Sequence, residues 1–148
     1  MKRTIWGATF LLLLLSGCRA SEPGVLFVQG VWARPSPEGA QTAAFYMTLV
    51  NESEDHDVLQ TVSIDACETV ELHRSSMDED GVMRMAPVPG GQIVVPPDKS
   101  VVLEPGGLHV MCIGLTQPLL EGQDVPLTLD FEVAGPIAVL AQIRQEAP

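Results

Sequence analysis

The chain has 148 residues, 46% apolar and 18% charged, which is enough for one core and too little for a multidomain enzyme. Eight Lys and Arg against 19 Asp and Glu give a formal charge of −11 with no basic cluster. That excludes a nucleic-acid binder and makes anionic ligands poor partners.

Lys2 and Arg3 are followed, from Ile5 to Leu15, by an almost wholly apolar run ending in five leucines. At about 1.5 Å per residue this run is too short for a hydrocarbon layer of about 30 Å, so it reads as a secretory signal rather than a membrane span. It ends at Leu15-Ser16-Gly17-Cys18, which resembles a bacterial lipobox: small residues at a cleavage point, then a cysteine that would take the lipid. The expected organisation is a lipoprotein signal peptide at residues 1–17, a lipidated Cys18 with a spacer over residues 18–24, and one β-domain at residues 25–148. An ordinary secretory signal with an incidental cysteine is the plainer alternative. Several acyl chains on one cysteine anchor stably, so the expected place is periplasmic or otherwise extracytoplasmic, tethered to a membrane.

Beyond the spacer, short apolar or alternating runs are punctuated by turn residues, with 13 Gly and 12 Pro in the chain. The predicted strands are Val25–Val28 and Val31–Ala33 around Gly30, then Ala43–Val50 ending at Asn51, then Val58–Ile64. Thr69–His73 follows, before the acidic turn Asp78-Glu79-Asp80-Gly81. After it come Val82–Val88, Ile93–Val95, Val101–Leu103, Leu108–Leu115, Val125–Val133 and Ile137–Ile143. Leu127, Leu129, Phe131 and Val133 alternate with Thr128, Asp130 and Glu132, the period of a half-buried strand. So many short strands predict an all-β sandwich or barrel. Cys67 and Cys112 are a possible disulfide in an oxidising compartment, but spacing alone does not bring them together, and the reading favours two buried thiols packed as small apolar groups.

There is no Ser/His/Asp context, no Gly-rich phosphate loop and no apolar-pocket carboxylate pair, so no enzymatic activity is expected. What remains is His56, His73 and His109 with Met47, Met77, Met83, Met85 and Met111. His109 and Met111 are two apart within one predicted strand and so share a face, while Val110 and Cys112 take the other. Met83 and Met85 repeat that spacing. Imidazole with soft thioether suits Cu(I), and thioethers neither ionise nor form disulfides in an oxidising compartment. The plainer reading is that the methionines fill the core and the histidines are surface or satisfied core groups.

Glu71-Leu72-His73, Gly81-Val82-Met83-Arg84-Met85 and Pro105-Gly106-Gly107-Leu108-His109-Val110-Met111 together resemble the signature of the periplasmic copper chaperones called PCu(A)C. Trp32-Ala33-Arg34, Ala43-Ala44-Phe45-Tyr46-Met47, Asn51 and Asp57-Val58-Leu59 extend the likeness over about residues 27–144. The resemblance implies a single-domain, cupredoxin-like Greek-key β-sandwich that binds Cu(I) at a partly exposed His/Met site. It also implies delivery of the metal to a copper-accepting protein, in this family the binuclear centre of cytochrome c oxidase. Carried over residue by residue, the ligands fall on His73, Met85, His109 and Met111, with Met83 as a rival for Met85 because the intervening turns are slightly longer than the usual motif spacing. Many relatives add a His/Met-rich tail; here Gln145-Glu146-Ala147-Pro148 has none, so a single copper site is expected. A blue-copper electron carrier would need a Cys thiolate beside two His, and Cys112 points the wrong way. A copper oxidase or reductase would need a further ligand cluster. A metal-free, lipid-anchored β-sandwich interaction module is the main rival, favoured if His73 and His109 lie far apart.

Overall fold

The computed structural model describes residues 25–148, so the signal segment and Cys18 lie outside the described residues. The strands are β1 (Leu26–Ala33), β2 (Thr42–Asn51), β3 (Asp57–Ser63), β4 (Cys67–Met77) and β5 (Met83–Pro87), followed by β6 (Ile93–Val95), β7 (Lys99–Leu103), β8 (Leu108–Leu115), β9 (Asp124–Phe131) and β10 (Gly135–Ile143). They form one hydrogen-bonded series, β5-β4-β8-β7-β2-β1-β10-β9-β3-β6, folded over a common core. Among the described residues no helix is long and apolar enough to cross a membrane.

Period-2 alternation decides which side chains enter the core. β2 buries Ala43, Phe45, Met47 and Leu49 and turns Ala44, Tyr46 and Thr48 outward. The buried residues meet Leu59, Leu103, Val110, Cys112, Leu129 and Ile143 in a single cluster. This is the expected all-β sandwich.

β7 and β8 both run antiparallel to β2, one after the other along the same edge. Between them Glu104–Gly107 loops out, closed by Glu104 N–H donating to Leu108 O at 2.8 Å and Gly107 N–H to Glu104 O at 3.0 Å. Gly106 sits there at φ +83°, where a side chain would be strained. The far edge of β8 pairs with β4, so β8 is held on both sides just after the loop.

Three features differ from the sequence reading. β1 is continuous through Gly30, with a register shift between Gln29 and Trp32 and Gly30 at φ +61°; the glycine marks a bulge rather than a break. β4 runs four residues past His73 to Met77, although Arg74, Ser75 and Ser76 carry no apolar pattern, because β5 pairs along that stretch. Cys67 and Cys112 form a disulfide with Cα atoms 5.5 Å apart, which corrects the reading as two free thiols.

Candidate metal centre

The β4–β8 register sets His73 opposite His109 and Glu71 opposite Met111. Alternation places these four side chains on one face while Leu72, Val110 and Cys112 enter the core from the other. Across β8, Ala44 of β2 stands opposite Met111. The Tyr46 ring lies 6.4 Å from that of His109 and is backed by Trp32 at 4.9 Å. Burial raises the Tyr46 phenol above its ordinary pKa, with the Arg34 charge opposing.

The two imidazoles lie with ring centroids 5.9 Å apart. Each is held by one nitrogen. His73 Nε2 pairs with the Glu71 carboxylate at 2.8 Å, and His109 Nδ1 with the Gly107 carbonyl at 3.1 Å. An ionised carboxylate and a carbonyl only accept, so both histidines donate there and keep a bare lone pair on the other nitrogen. Those two atoms, His73 Nδ1 and His109 Nε2, are the buried side-chain polar atoms without a partner among the described residues. Orphaned buried acceptors cost about 1–3 kcal/mol each, so a pair side by side is the mark of a site kept open for a ligand. Two metal–nitrogen bonds of about 2 Å plus two ring radii of roughly 1 Å span about 6 Å, a length close to the observed centroid separation.

Burial holds the His109 pKa below its ordinary value; the Gly107 hydrogen bond opposes this and the neighbouring His73 adds to it. The ring is therefore kept neutral, the form a metal ligand requires. His109 is only 2% exposed, so the histidine half of the site is more enclosed than the resemblance implies.

Met111 is half-buried next to this pair. Met85 is opposite Ser75, and Ser75 is the next same-face position after His73, so Met85 is a diagonal neighbour of His73, with a Cα separation of about 7–8 Å for such pairs. Met83 is opposite Met77, one same-face step further out. The register thus puts Met85 nearer to the histidines than its rival Met83. Both are exposed on the sheet-edge strand β5. His56 is exposed in the β2–β3 loop, and Met47 is core packing.

Sequence reasoning quoted Glu71 only as part of a motif and gave Tyr46 no role at the site; the i, i+2 spacing of Glu71 and His73 on one strand was the signal for the first. Asn51 and Asp57 are structural. Asn51 donates to Asp55 O, Val95 O and Pro96 O, and the buried Asp57 carboxylate accepts from the backbone N–H groups of Val58, Val133 and Ala134. Among the described residues no three His, Cys, Asp or Glu side chains gather as metal ligands.

The ten-strand, all-β fold matches that of PCuAC domains. The apo PCuAC domain from PmoF1 superposes with a TM-score of 0.70 at 25% identity, covering 84% of this chain and 98% of that one. The copper-bound PCuAC domain from PmoF2 gives 0.67 at 26% identity, covering 82% and 93%. The solution structure of CuI-DR1885 from Deinococcus radiodurans gives 0.61 at 27%, covering 88% and 84%. Residues 26–143 match the family described as "Putative lipoprotein LpqE-like", and the chain belongs to that family. A curated relative, "Putative lipoprotein Lxx21020" of Leifsonia xyli subsp. xyli, is 29% identical over 141 residues, covering 87% of this chain and 82% of its own.

Proposed function

We propose that this protein is an extracytoplasmic Cu(I) chaperone that holds one ion between His73 Nδ1 and His109 Nε2, with Met111 and Met85 as thioether donors. The observation that carries the reading is the pair of bare, buried imidazole nitrogens on rings 5.9 Å apart. The likeness to a copper-bound PCuAC domain and to CuI-DR1885 supports copper as the cargo. Neutral imidazoles and thioethers favour Cu(I) over Zn(II) or hard cations. Such a site releases metal by ligand exchange: the enclosed histidines bind, and the exposed methionine side is where an acceptor's ligand would enter. The protein carries and passes on its cargo without turning over a substrate. On the family resemblance, the acceptor is the binuclear copper centre of cytochrome c oxidase or one of its assembly factors. A metal-free interaction module leaves the two orphaned nitrogens unexplained.

Competition of the reduced protein with a Cu(I) chelator, with X-ray absorption of the complex, tests the site. One tight equivalent with mixed nitrogen and sulfur ligation is expected. Met111→Leu keeps volume and apolarity, a swap that costs less than about 1.5 kcal/mol of stability. It should leave a folded protein whose Cu(I) affinity is down by about tenfold or more, which is about 1.4 kcal/mol of binding. Wild-type affinity in that variant would return Met111 to simple packing, and equal affinity for zinc would sink the copper assignment.

We also assign residues 1–17 as the signal peptide and Cys18 as the lipidated N-terminus, a proposal supported by membership of a lipoprotein family. Cys18→Ser should abolish metabolic labelling with a fatty acid and shift the protein out of the membrane fraction, because one short apolar run is no permanent span. Undiminished labelling would refute it.

A further inference from the structure

The β4–β5 hairpin beyond the histidines exposes three thioethers that the proposed chaperone site does not fully use. Met77 and Met83 are directly opposed in the register, and Met83 and Met85 are two residues apart on one strand. Alternation puts all three on the face that carries His73 and His109. They are 66%, 53% and 62% exposed, whereas Met47 is buried in the core, so packing does not account for their side chains. The hairpin is built to hold them in place. The Asp78 carboxylate accepts from Val82 N–H at 2.9 Å, Asp80 N–H at 3.1 Å and the Arg84 guanidinium. It locks the turn that sets Met77 against Met83.

Met85 has a particular place in this arrangement. Its cross-strand partner is Ser75, so it is diagonal to His73 on one side and diagonal to Met77 on the other, about 7–8 Å between Cα atoms in each direction. A flexible thioether reaches either way. We propose that Met77 and Met83 form a second, weaker Cu(I) site on the hairpin, with Met85 shared between it and the histidine pair, so that copper enters and leaves through a thioether relay. This rests on the chaperone reading above and adds a site to it; the sequence expectation of a single site concerned the tail, whereas these ligands lie on a hairpin. Copper stays Cu(I) throughout. Sulfur–copper bonds to Met77 and Met83 break as bonds to the two imidazole nitrogens form, with Met85 bound across the exchange. No proton moves, because thioethers carry none and each histidine keeps its N–H on Glu71 or Gly107.

The test is an anaerobic titration of the full chain, labelled with methyl-13C methionine, with Cu(I) supplied as its acetonitrile complex. The first equivalent should shift the Met85 and Met111 methyls. A second, at least about tenfold weaker, should shift Met77 and Met83. Met77→Leu preserves the apolar surface, so a role in docking an apolar partner would survive it, while ligation would not. In that variant the first equivalent should keep its affinity, the second should be lost, and loading from a Cu(I) chelator should slow several-fold. Unmoved Met77 and Met83 methyls, or unaltered loading in Met77→Leu, overturns the relay while the histidine site stands. Loss of the first equivalent in the wild-type protein would instead overturn the chaperone reading itself.

Discussion

His109→Leu is expected to abolish tight Cu(I) binding while leaving the domain about as stable as the wild type. His109 is 2% exposed, and its Nε2 has no partner, so the native protein carries an unsatisfied acceptor there. Leucine removes that penalty, about 1–3 kcal/mol, and forfeits one hydrogen bond to Gly107 worth about 1 kcal/mol. The gain equals or exceeds the loss, so the variant should be no less stable than the wild type. Binding behaves differently, because groups that merely orient a metal ligand are worth about 10–100-fold in affinity and a ligand atom is worth more. A loss beyond about 100-fold is the expected result. The same variant changes the response to acid. With its pKa held below the ordinary 6.5, chiefly by burial, His109 stays neutral in the fold when the unfolded chain has already taken up a proton. Its contribution is fully present above the unfolded value and is lost as pH falls from there toward the folded one, so stability should rise with pH across that window. Leucine should flatten the slope. Denaturant unfolding at pH about 7.5 and about 5 reads both effects; wild-type copper affinity in His109→Leu, or an equally steep acid dependence, would contradict the assignment.

Most strand runs were legible because one face of the strand is buried and side-chain period is 2: β2 and β9 show in the sequence as the alternation that the core imposes. β4 beyond His73 was not, since Arg74, Ser75 and Ser76 face solvent or the open face and are ordered by backbone bonds to β5. Backbone pairing leaves no apolar signature. The disulfide was hidden for a related reason: Cys67 and Cys112 are 45 residues apart in sequence, and only the folding of β4 onto β8 brings their Cα atoms to 5.5 Å. His109 and Met111 were readable as one face from spacing alone. Pairing them with His73 required cross-strand register, which no local pattern encodes, and here the family resemblance carried the step. The choice of nitrogen on each ring, fixed by Glu71 and Gly107, lay beyond both. The same register sets Met85 one same-face step closer to His73 than Met83, an ordering that turn lengths alone do not give.

Removing the disulfide should be the most costly single change to stability. A bridge across 45 residues restrains the unfolded chain by an amount the loop-closure model puts at about 4 kcal/mol. Domains of this size unfold with only about 5–15 kcal/mol, so Cys67→Ala/Cys112→Ala should lower the midpoint of thermal unfolding by on the order of 10–20 °C. Copper affinity should suffer far less. The β4–β8 ladder still registers His73 against His109 through backbone bonds from Thr69 to Arg74, and Cys112 is wholly buried on the core side of β8. For the same reason the Cys112 thiol of the reduced wild-type protein stays out of reach of an ion on the outer face, and Cys67 stands six residues, about 20 Å, along β4 from His73, so reduced and alanine-substituted proteins should bind Cu(I) alike. Saturating Cu(I) should then recover part of the lost stability, because it binds only the folded state. Calorimetry with and without reductant and copper separates these effects. A loss below about 1 kcal/mol on breaking the bridge would show that the unfolded chain gains no freedom from it, and a copper affinity that collapses together with the midpoint would mean that the disulfide, rather than the strand register, holds the two histidines in place.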